Sequence, residues 1–527
     1  MAESSLFERT PLVTRACLPM QAGQLRTSSL PHIPEDPIPV HCLEGAVRIA
    51  SFSADTGLAD RVTARLNNLL SGQKPDGSFE LALTEALSLI RAAWQAYLWK
   101  KEKAYLTSVT SFLSWTAEHY EDVISDHEIR LHPADLIELA IEFYRVTGTQ
   151  GSLRLLAKLR RDTTDWSVRL RTFDTTRPFQ ADDPAITEEI KDSLRGDSLA
   201  DGLRGVRIMS EYSGNGTEAQ TGAFSWPKIS RWHGAVCGST AGSPYLAGTS
   251  PAASLDPSVA GAWAEAVAEC ATFGEAWAAD EAEKLYLNAM PAAMEGNHFA
   301  VNQLPKAHPE KKNPATDARI LRGAAALLSS AVLKLPDGFR VLYAAPVTCG
   351  IVVEGQRVLV AVQEEKNAWV VRVQPEKPLE FKAEIRIPSW AKNSCVSVNS
   401  SRPETCKPGS VHTVRRQWNP GDVIRLEFER EIRIVQTHHQ GKCVFLGPRL
   451  MALPATSEKW AYALETSWIE NGEVHAKLLP VRGWKLKAGQ PADVPVLPET
   501  AGEPVECLLT PFAETQTRIA VFAGCRS

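Results

Sequence analysis

The sequence has no long apolar run, no closely paired cysteines and no run of basic residues. No stretch reaches the roughly 18 consecutive apolar residues that a membrane-spanning helix needs, and the first residues lack the charged and apolar regions of a secretory signal. The ten cysteines include no C-x-x-C pair, so their spacing indicates neither a disulfide framework nor a zinc site. We therefore predict a cytoplasmic protein whose cysteines are mostly buried thiols.

Charge and missing motifs exclude further classes of function. The formal net charge is -5 at pH 7, so no basic surface for nucleic acid or anionic lipid is expected. The phosphate-binding G-x-x-x-x-G-K-[ST], the G-x-S-x-G of serine hydrolases and the H-E-x-x-H of zinc proteases are absent. We predict small-molecule substrates as partners, with no nucleic acid, membrane, cofactor or metal.

The two halves of the chain have different periodicities. From about residue 40 to residue 295, apolar residues recur at helical spacing in segments that short polar breaks separate. Residues 42–50 and 59–70 form one pair of such segments, and the pattern returns at 134–144, 153–159 and 261–290. Repeated pairs of antiparallel helices predict a ring of helical hairpins.

After about residue 335 the pattern changes to short alternating strands, which Gly, Pro and Asn separate at the spacing of a β-sandwich. We expect a multidomain protein of α plus β class. Its predicted parts are an extended N-terminal arm at 1–38, a helical barrel at 39–320, and an antiparallel β-sandwich region at 335–527 whose C-terminal segment wraps back onto the body.

Short motifs between residues 43 and 448 carry a resemblance to a known family. The motifs are LEG at 43–45, QKPDG at 73–77, LIE at 136–138, TG at 147–148, YLAG at 245–248, LNAMPA at 287–292, VNQ at 301–303, RIPSWA at 386–391, WNPGD at 418–422 and GP at 447–448. In this order they resemble the glycoside-hydrolase family typified by bacterial β-L-arabinofuranosidases. The resemblance implies an N-terminal (α/α)6 six-hairpin barrel followed by a C-terminal antiparallel β-sandwich.

The residues that the family uses for hydrolysis are missing. The resemblance implies a cysteine nucleophile held with further cysteines and a glutamate around zinc, and another glutamate as acid/base. The segment that follows 301–303 has no cysteine, Pro244 stands where the acid is expected, and only Cys270 remains of a glutamate-x-cysteine pair. Asp135 and Asp201 stand in place of two histidines. Hydrolysis by the family mechanism is therefore not expected.

A small-molecule site is still predicted between residues 224 and 303, where aromatic and polar side chains are dense. We interpret residues 232–234 as part of a Gly/Ser-rich loop that faces a cavity. Asp201 and Arg204 form either an ordinary ion pair or an anion and proton handle at the barrel mouth. The structural alternative is that the tryptophans pack in the core and the histidines only make hydrogen bonds. The predicted catalytic residues are His233, His298 and Arg204, and the predicted substrate-binding residues are Phe224, Trp226, Trp232, Tyr245, Asn297, Gln303 and Asp201.

Three functions remain open. The loss of the nucleophile beside a retained aromatic pocket resembles the fungal hetero-Diels-Alder cyclases of tropolone-sesquiterpenoid biosynthesis, which implies coupling of a tropolone o-quinone methide to a humulene-type olefin. Such catalysis needs only a reactive pose and one or two donors for the charge on the quinone-methide oxygen. The alternatives are a glycosidase that uses other carboxylates, such as Glu265, Glu269 or Glu295, and a non-catalytic carbohydrate-binding protein.

Overall fold

The structure, a computed structural model, describes residues 18–27, 31–179, 187–242, 245–295, 297–303, 314–437, 441–455, 462–482, 499–500 and 502–523. Between residues 43 and 330 the described elements are helical, and after residue 331 they are almost all strands. This arrangement confirms the predicted fold class. No helix in these ranges is both long enough and apolar enough to cross a membrane.

Six helices form the closed inner ring of a barrel. In chain order the helices are α1 (Leu43–Phe52), α2 (Thr56–Leu70), α3 (Leu83–Lys100), α4 (Lys103–Glu118), α5 (Tyr120–Ser125), α6 (His127–Leu131), α7 (Ala134–Thr147), α8 (Gln150–Asp162), α9 (Trp166–Arg171), α10 (Glu188–Ser193), α11 (Gly196–Ser213), α12 (Gly216–Ala219), α13 (Thr221–His233), α14 (Pro257–Thr272), α15 (Ala276–Lys284), α16 (Met290–Ala293) and α17 (Pro314–Ser330). Helices α1, α3, α7, α11, α14 and α17 contact one another in turn, and α17 returns to α1. Helices α2, α4, α8, α13 and α15 pack outside this ring.

The six inner helices run in the same direction. Thr84, Asp135 and Arg319, in the first two turns of α3, α7 and α17, line one end of the ring. Thr272 and Ser330, in the last turns of α14 and α17, line the other end. The end formed by the first turns, which we call the barrel mouth, therefore receives the positive ends of the helix dipoles.

Two glycines let α17 approach its neighbours closely. A Cβ atom at Gly261 of α14 would lie 2.3 Å from the carbonyl oxygen of Arg319, and a Cβ atom at Gly45 of α1 would lie 2.5 Å from Leu321 Cβ. Because no larger residue fits at these two positions, α17 lies directly against both helices. This approach brings Arg319 and Arg322 to the barrel axis.

The strands form three sheets. In chain order they are β1 (Leu18–Pro19), β2 (Leu25–Thr27), β3 (Val332–Leu335), β4 (Gly338–Val341), β5 (Val347–Val353), β6 (Gln356–Glu365), β7 (Ala368–Pro375), β8 (Leu379–Arg386), β9 (Lys392–Val398), β10 (Glu404–Thr405), β11 (Val411–Trp418), β12 (Asp422–Glu429), β13 (Ile432–Gln436), β14 (Lys442–Leu446), β15 (Arg449–Pro454), β16 (Tyr462–Glu470), β17 (Glu473–Arg482), β18 (Glu499–Thr500), β19 (Val505–Pro511), β20 (Arg518–Ile519) and β21 (Val521–Phe522). The sheet orders are β1-β3-β4-β8-β11, β10-β9-β12-β7-β6-β5-β2, and β13-β14-β15-β19-β17-β16 with β18, β20 and β21 attached. Strands β4 and β8 pair in parallel.

The β region is larger than the single sandwich that the sequence predicts. The first two sheets share one core with the barrel, which includes Trp369 and Trp418. The third sheet also has a core of its own around Val444, Leu464 and Phe522. Strand alternation indicates which face is buried, but it does not indicate against which layer that face packs. The short N-terminal strands β1 and β2 add to the first two sheets.

Buried polar contacts fix the barrel against the sheets. Asn288, in a π-helical turn after α15, donates to the carbonyl oxygen of Pro448 at 3.1 Å and accepts the N–H of Leu450 at 2.8 Å. Arg386 of β8 lies 3.2 Å from the carboxylate of Glu283 in α15. Since these groups are buried, their hydrogen bonds specify one docking geometry for the two parts.

Candidate functional site

Charged side chains fill the barrel axis. They are carried by all six inner helices, and we call them the axial network. Its guanidinium groups belong to Arg91, Arg204, Arg319 and Arg322, and its carboxylates belong to Glu44, Asp135, Glu138, Asp201 and Glu265. Such groups are almost never buried unless they are paired, and each of these has at least one partner of opposite charge.

Two arginines hold the network together through paired contacts. Arg91 donates to the two carboxylate oxygens of Glu44 at 2.6 and 2.8 Å, which links α3 to α1. Arg322 donates to the two oxygens of Asp135 at 2.6 and 2.8 Å and, through Nε, to Glu265 at 2.9 Å. The planar guanidinium fork matches a carboxylate in this way. Arg322 thereby links α17 to both α7 and α14.

The arginines keep Asp135 and Glu138 ionised. Burial by itself raises the pKa of Asp135, but the attraction of three arginines, Arg322 foremost, outweighs burial and holds that pKa well below its ordinary value. At Glu138 burial is likewise outweighed, by Arg91 and Arg204, and the pKa falls to about 2. A carboxyl group that stays ionised cannot donate the proton that a departing sugar oxygen requires.

The barrel mouth contains a cavity of about 260 Å³. Its polar lining comprises His41, Thr84, Ser88, Glu128, His132, Asp135, Arg319 and Arg322. His132 Nδ1 lies 3.2 Å from the Oδ2 atom of Asp201. Arg319 donates to the other oxygen of Asp201, Oδ1, at 3.0 Å. Burial raises the pKa of Asp201, but Arg319 and His132 outweigh that effect and hold the pKa well below its ordinary value. The ring of His132 therefore lines the cavity while its Nδ1 atom lies near the carboxylate of Asp201.

Two more side chains at the mouth have unused hydrogen-bonding capacity. The Nε2 atom of His41 is buried and has no hydrogen-bond partner within the described ranges. Glu128 lies at the rim, where its side chain is 54% exposed and its carboxylate is 3.6 Å from His132 Nε2. A buried ring nitrogen without a partner is costly, so Nε2 of His41 is a position at which a molecule in the cavity gains a hydrogen bond.

The predicted catalytic residues lie apart from one another. His233 is fully buried, with Nε2 2.9 Å from the carbonyl oxygen of Thr175 and Nδ1 accepting the N–H of Gly248 at 3.2 Å. Arg204 belongs to the axial network, where it donates to Glu138 at 2.7 Å and to Asp135, and its side chain lines the small cavity at the opposite end of the barrel. His298 is partly exposed beside the start of α14. The structure therefore gives His233 and Arg204 structural partners and does not bring the three together.

The segment 232–234 is not the loop that the sequence predicts. Helix α13 continues to His233 although Pro227 lies inside it. Gly234 then ends the helix, and its N–H bonds to the carbonyl oxygen of Ser230 at 2.9 Å. The buried side chains of Trp226 and Ile229 give α13 an apolar face, and this packing outweighs the loop tendency of nearby Gly and Ser.

The predicted binding residues are also dispersed. Asp201 lies behind the barrel mouth, and Tyr245 stacks on Phe179 with ring centroids 4.3 Å apart. Trp226 packs against Trp263 at 4.7 Å between centroids, as the structural alternative proposed.

The remaining predicted binding residues lie elsewhere. Phe224 is 58% exposed on the outside of α13, and Trp232 lies beside the guanidinium of Arg231. Asn297 is half-buried. Gln303 pairs with β20 through its backbone. The ten predicted residues therefore do not line one common cavity.

Two of the three alternative carboxylates share a cavity. Glu265 and Glu269 both line a small cavity of about 60 Å³ at the opposite end of the barrel. Glu265 also belongs to the axial network, where Arg322 and Arg319 are its partners. Glu295 is exposed in the turn after α16 and does not line this cavity. A glycosidase acid and its partner must flank the same bond, so Glu265 and Glu269 are the pair that this alternative leaves.

The cysteine and zinc set that the resemblance implies does not fit the described residues. Burial raises the pKa of the Cys270 thiol well above its ordinary value and that of Cys237 to about 12. No group of three or more His, Cys, Asp or Glu that could hold a metal ion occurs in the part of the chain that the structure describes. Pro244 lies outside the described residues. We derive no step through zinc.

Sequence reasoning missed the residues that line the mouth: His41, Glu128, His132, Arg319 and Arg322. A signal for two of them exists, because Arg319 and Arg322 are three residues apart on a helix that is otherwise rich in Ala and Leu. Charges at this spacing share one helix face. A charged face is usually solvated, so only the ring geometry shows that this one points inward.

The axial network makes a prediction about stability. We expect Arg322→Met to lower the free energy of unfolding by about 3–5 kcal/mol, because Asp135 and Glu265 then lose a partner inside the barrel. Lys392→Met is the control: its ion pair with Glu431 is exposed, and such pairs contribute about 1 kcal/mol or less. Denaturant unfolding measures both, and equal stabilities would contradict the account of the network.

The buried imidazole predicts a pH dependence. Burial lowers the pKa of His233 to about 4 from an ordinary value of 6.5, so between these pH values the unfolded chain binds a proton that the folded chain refuses. The free energy of unfolding should therefore fall by roughly 3 kcal/mol from His233 as pH drops from about 6.5 to about 4. His233→Gln should remove that component, whereas His119→Gln, at an exposed position, should leave it. The free energy of unfolding is measured by urea titration at several pH values across this range. If it changes with pH equally in all three proteins, the assignment to His233 is contradicted.

Comparison with known proteins identifies the fold. The family model for "Beta-L-arabinofuranosidase, GH127 middle domain" matches residues 355–430. A structure described as a glycoside hydrolase superposes with a TM-score of 0.72 at 14% identity, covering 97% of this chain and 98% of the other. A search of curated protein sequences finds no match.

Two more solved structures are similar over most of their length. A GH127 β-arabinofuranosidase has a TM-score of 0.65 at 14% identity and covers 97% of this chain and 98% of its own. A GH127 β-L-arabinofuranosidase from Geobacillus stearothermophilus T6 has a TM-score of 0.64 at 14% identity and covers 92% and 89%. The chain therefore has the fold of the GH127 glycoside hydrolases, and residues 355–430, which carry strands of the first two sheets, match that family's middle domain by sequence.

Proposed function

We propose that this protein is an enzyme that uses the glycosidase-like scaffold for a non-hydrolytic reaction of a small molecule at the barrel mouth. The observation that carries the proposal is that every axial carboxylate is paired with an arginine. The thiols of Cys237 and Cys270 are buried with raised pKa values. These carboxylates and thiols thus supply neither the acid nor the thiolate nucleophile of the hydrolytic mechanism that the family resemblance implies.

The specific reaction that we propose is a hetero-Diels-Alder coupling of a tropolone o-quinone methide with a humulene-type olefin. The carbonyl oxygen of the quinone methide bonds to one olefin carbon, and its exocyclic carbon bonds to the other. The π bonds of the carbonyl, of the exocyclic C=C and of the olefin are consumed, and one new C=C bond forms in the ring between the former carbonyl carbon and its neighbour. All atoms are retained, and no oxidant, reductant or covalent enzyme intermediate is needed. The protein must hold the partners together and stabilise the charge that gathers on the oxygen.

The barrel mouth has groups suited to that charge. The Nε2 atom of His41 has no partner in the described structure, and Nδ1 of His132 lies 3.2 Å from Asp201 without hydrogen-bond geometry. The positive ends of six helix dipoles and the guanidinium of Arg319 add a favourable field. The cavity of about 260 Å³ would hold the oxygen-bearing ring, and the olefin would approach from the rim, where Glu128 lies.

The proposal predicts the effect of removing either histidine. Each of His41→Ala and His132→Ala should slow adduct formation by about 100-fold, because a donor to the developing oxyanion is lost. His119→Ala, on an exposed position, is the control and should keep the wild-type rate. The rate and the enantiomeric ratio of the adduct are measured by chiral chromatography with mass detection. Wild-type protein that gives only the uncatalysed rate and a racemic adduct, or two histidine variants with full activity, would contradict the proposal.

A glycosidase is the second candidate, and Glu128 is the observation that favours it. This carboxyl group lies at the mouth and is half exposed. It forms no ion pair with an arginine of the described residues. It could act as a proton donor to a sugar oxygen, opposite Asp135 in the same cavity. A cavity of this polarity and volume also accommodates one sugar ring.

An aryl β-L-arabinofuranoside separates the two candidates. If the second candidate holds, purified protein releases the aryl group, and Glu128→Gln lowers the rate at least 100-fold while Glu118→Gln, at an exposed helix position, leaves it unchanged. Our first proposal predicts no release by any of the three proteins. Sugar binding without release or adduct formation would instead indicate a carbohydrate-binding protein.

A further inference from the structure

A second cavity, of about 530 Å³, lies between the outer helices of the barrel and the third sheet. We call it the interdomain cavity, and its aromatic walls are Trp226 of α13, Trp390 and Phe445 of β14. Its volume is in the range of sites for drug-sized molecules. Since none of the groups at the barrel mouth lines it, the interdomain cavity is separate from the site described above.

The charges that line this cavity are unbalanced. Its two carboxylates have other cations as partners: Asp280 contacts Arg386, and Glu281 lies 2.7 Å from the ammonium group of Lys284. Arg433 also lines the cavity and has no ion pair within the described ranges. Arg231 adds a second positive charge at the exposed rim. The cavity therefore has a surplus of positive charge.

Arg433 has unused hydrogen-bonding capacity. One of its terminal nitrogens donates to the carbonyl oxygen of Gly447 at 2.9 Å, and the guanidinium lies 5.4 Å from the ring centroid of Phe445. Its Nε atom is buried and finds no acceptor among the residues that the structure describes. Arg433 is half-buried, and the carboxylates of Asp280 and Glu283 attract it from beyond ion-pair distance. Its buried Nε–H still lacks an acceptor, which an anionic ligand can supply.

We propose that the interdomain cavity binds a cyclic, largely apolar molecule that carries one carboxylate. The carboxylate pairs with Arg433, and the ring packs against Trp226 and Trp390. This combination uses the three features of the cavity together: its aromatic walls, its volume and its unpaired guanidinium. The inference does not depend on the reaction at the barrel mouth.

Binding of 2-naphthoate to the full chain, measured by isothermal titration calorimetry, tests the proposal. The neutral analogue 2-naphthamide has nearly the same shape and reports the aromatic contacts alone. We expect 2-naphthoate to bind the wild-type protein at least tenfold more tightly than 2-naphthamide. Arg433→Gln should remove that difference by weakening the naphthoate complex, whereas Arg415→Gln, at an exposed position on β11, should keep it.

A second variant separates loss of the site from loss of the fold. Ala235→Phe adds a side chain to the cavity wall without changing charge and should abolish binding of both probes. Thermal unfolding with a wild-type midpoint shows that each variant is folded, and Arg433→Met, which also removes the charge, replaces Arg433→Gln if the latter unfolds. Absence of naphthoate binding to wild-type protein, equal binding of the two probes, or tight naphthoate binding to Ala235→Phe would overturn the proposal.

Discussion

The pairing of arginines with carboxylates along the barrel axis is the constraint on which the rest of the structure depends. Charges of this number can be buried only when each has a partner with good geometry. Their partners sit on different helices, so the network fixes the rotation and the height of each inner helix relative to its neighbours. Glycines at the contacts of α17 allow the approach that the network needs.

The same pairing decides what chemistry the barrel can perform. Six parallel helices bring their positive ends to one mouth, which makes that mouth a favourable place for an oxyanion. In a hydrolase this mouth needs a carboxylic acid that can give up a proton. Here Arg322, Arg319 and their neighbours hold Asp135 and Asp201 ionised, so these two carboxyl groups do not serve as that proton donor, while the field of the barrel remains. Stabilisation of charge in a ligand is what the remaining groups can supply.

The fold could be predicted from the sequence because its signals are local. Helical periodicity at 134–144 and strand alternation at 357–362 are visible within a few residues. The site could not be predicted in the same way: Arg322 meets Asp135 from 187 positions away. Nothing in the sequence around either residue distinguishes a solvated charge from one on the barrel axis. His233 shows the converse error, since a histidine near glycines looks accessible until two backbone groups are found to hold its ring.

The central claim is that a glycosidase-like barrel has exchanged hydrolysis for the joining of small molecules. Its most direct test is a comparison, by chromatography with mass detection, of the small molecules that accumulate in the source organism with and without this gene. The account predicts loss of a terpenoid-polyketide adduct and accumulation of its two unjoined halves. An unchanged profile of such adducts, together with accumulation of an arabinofuranoside, would contradict it.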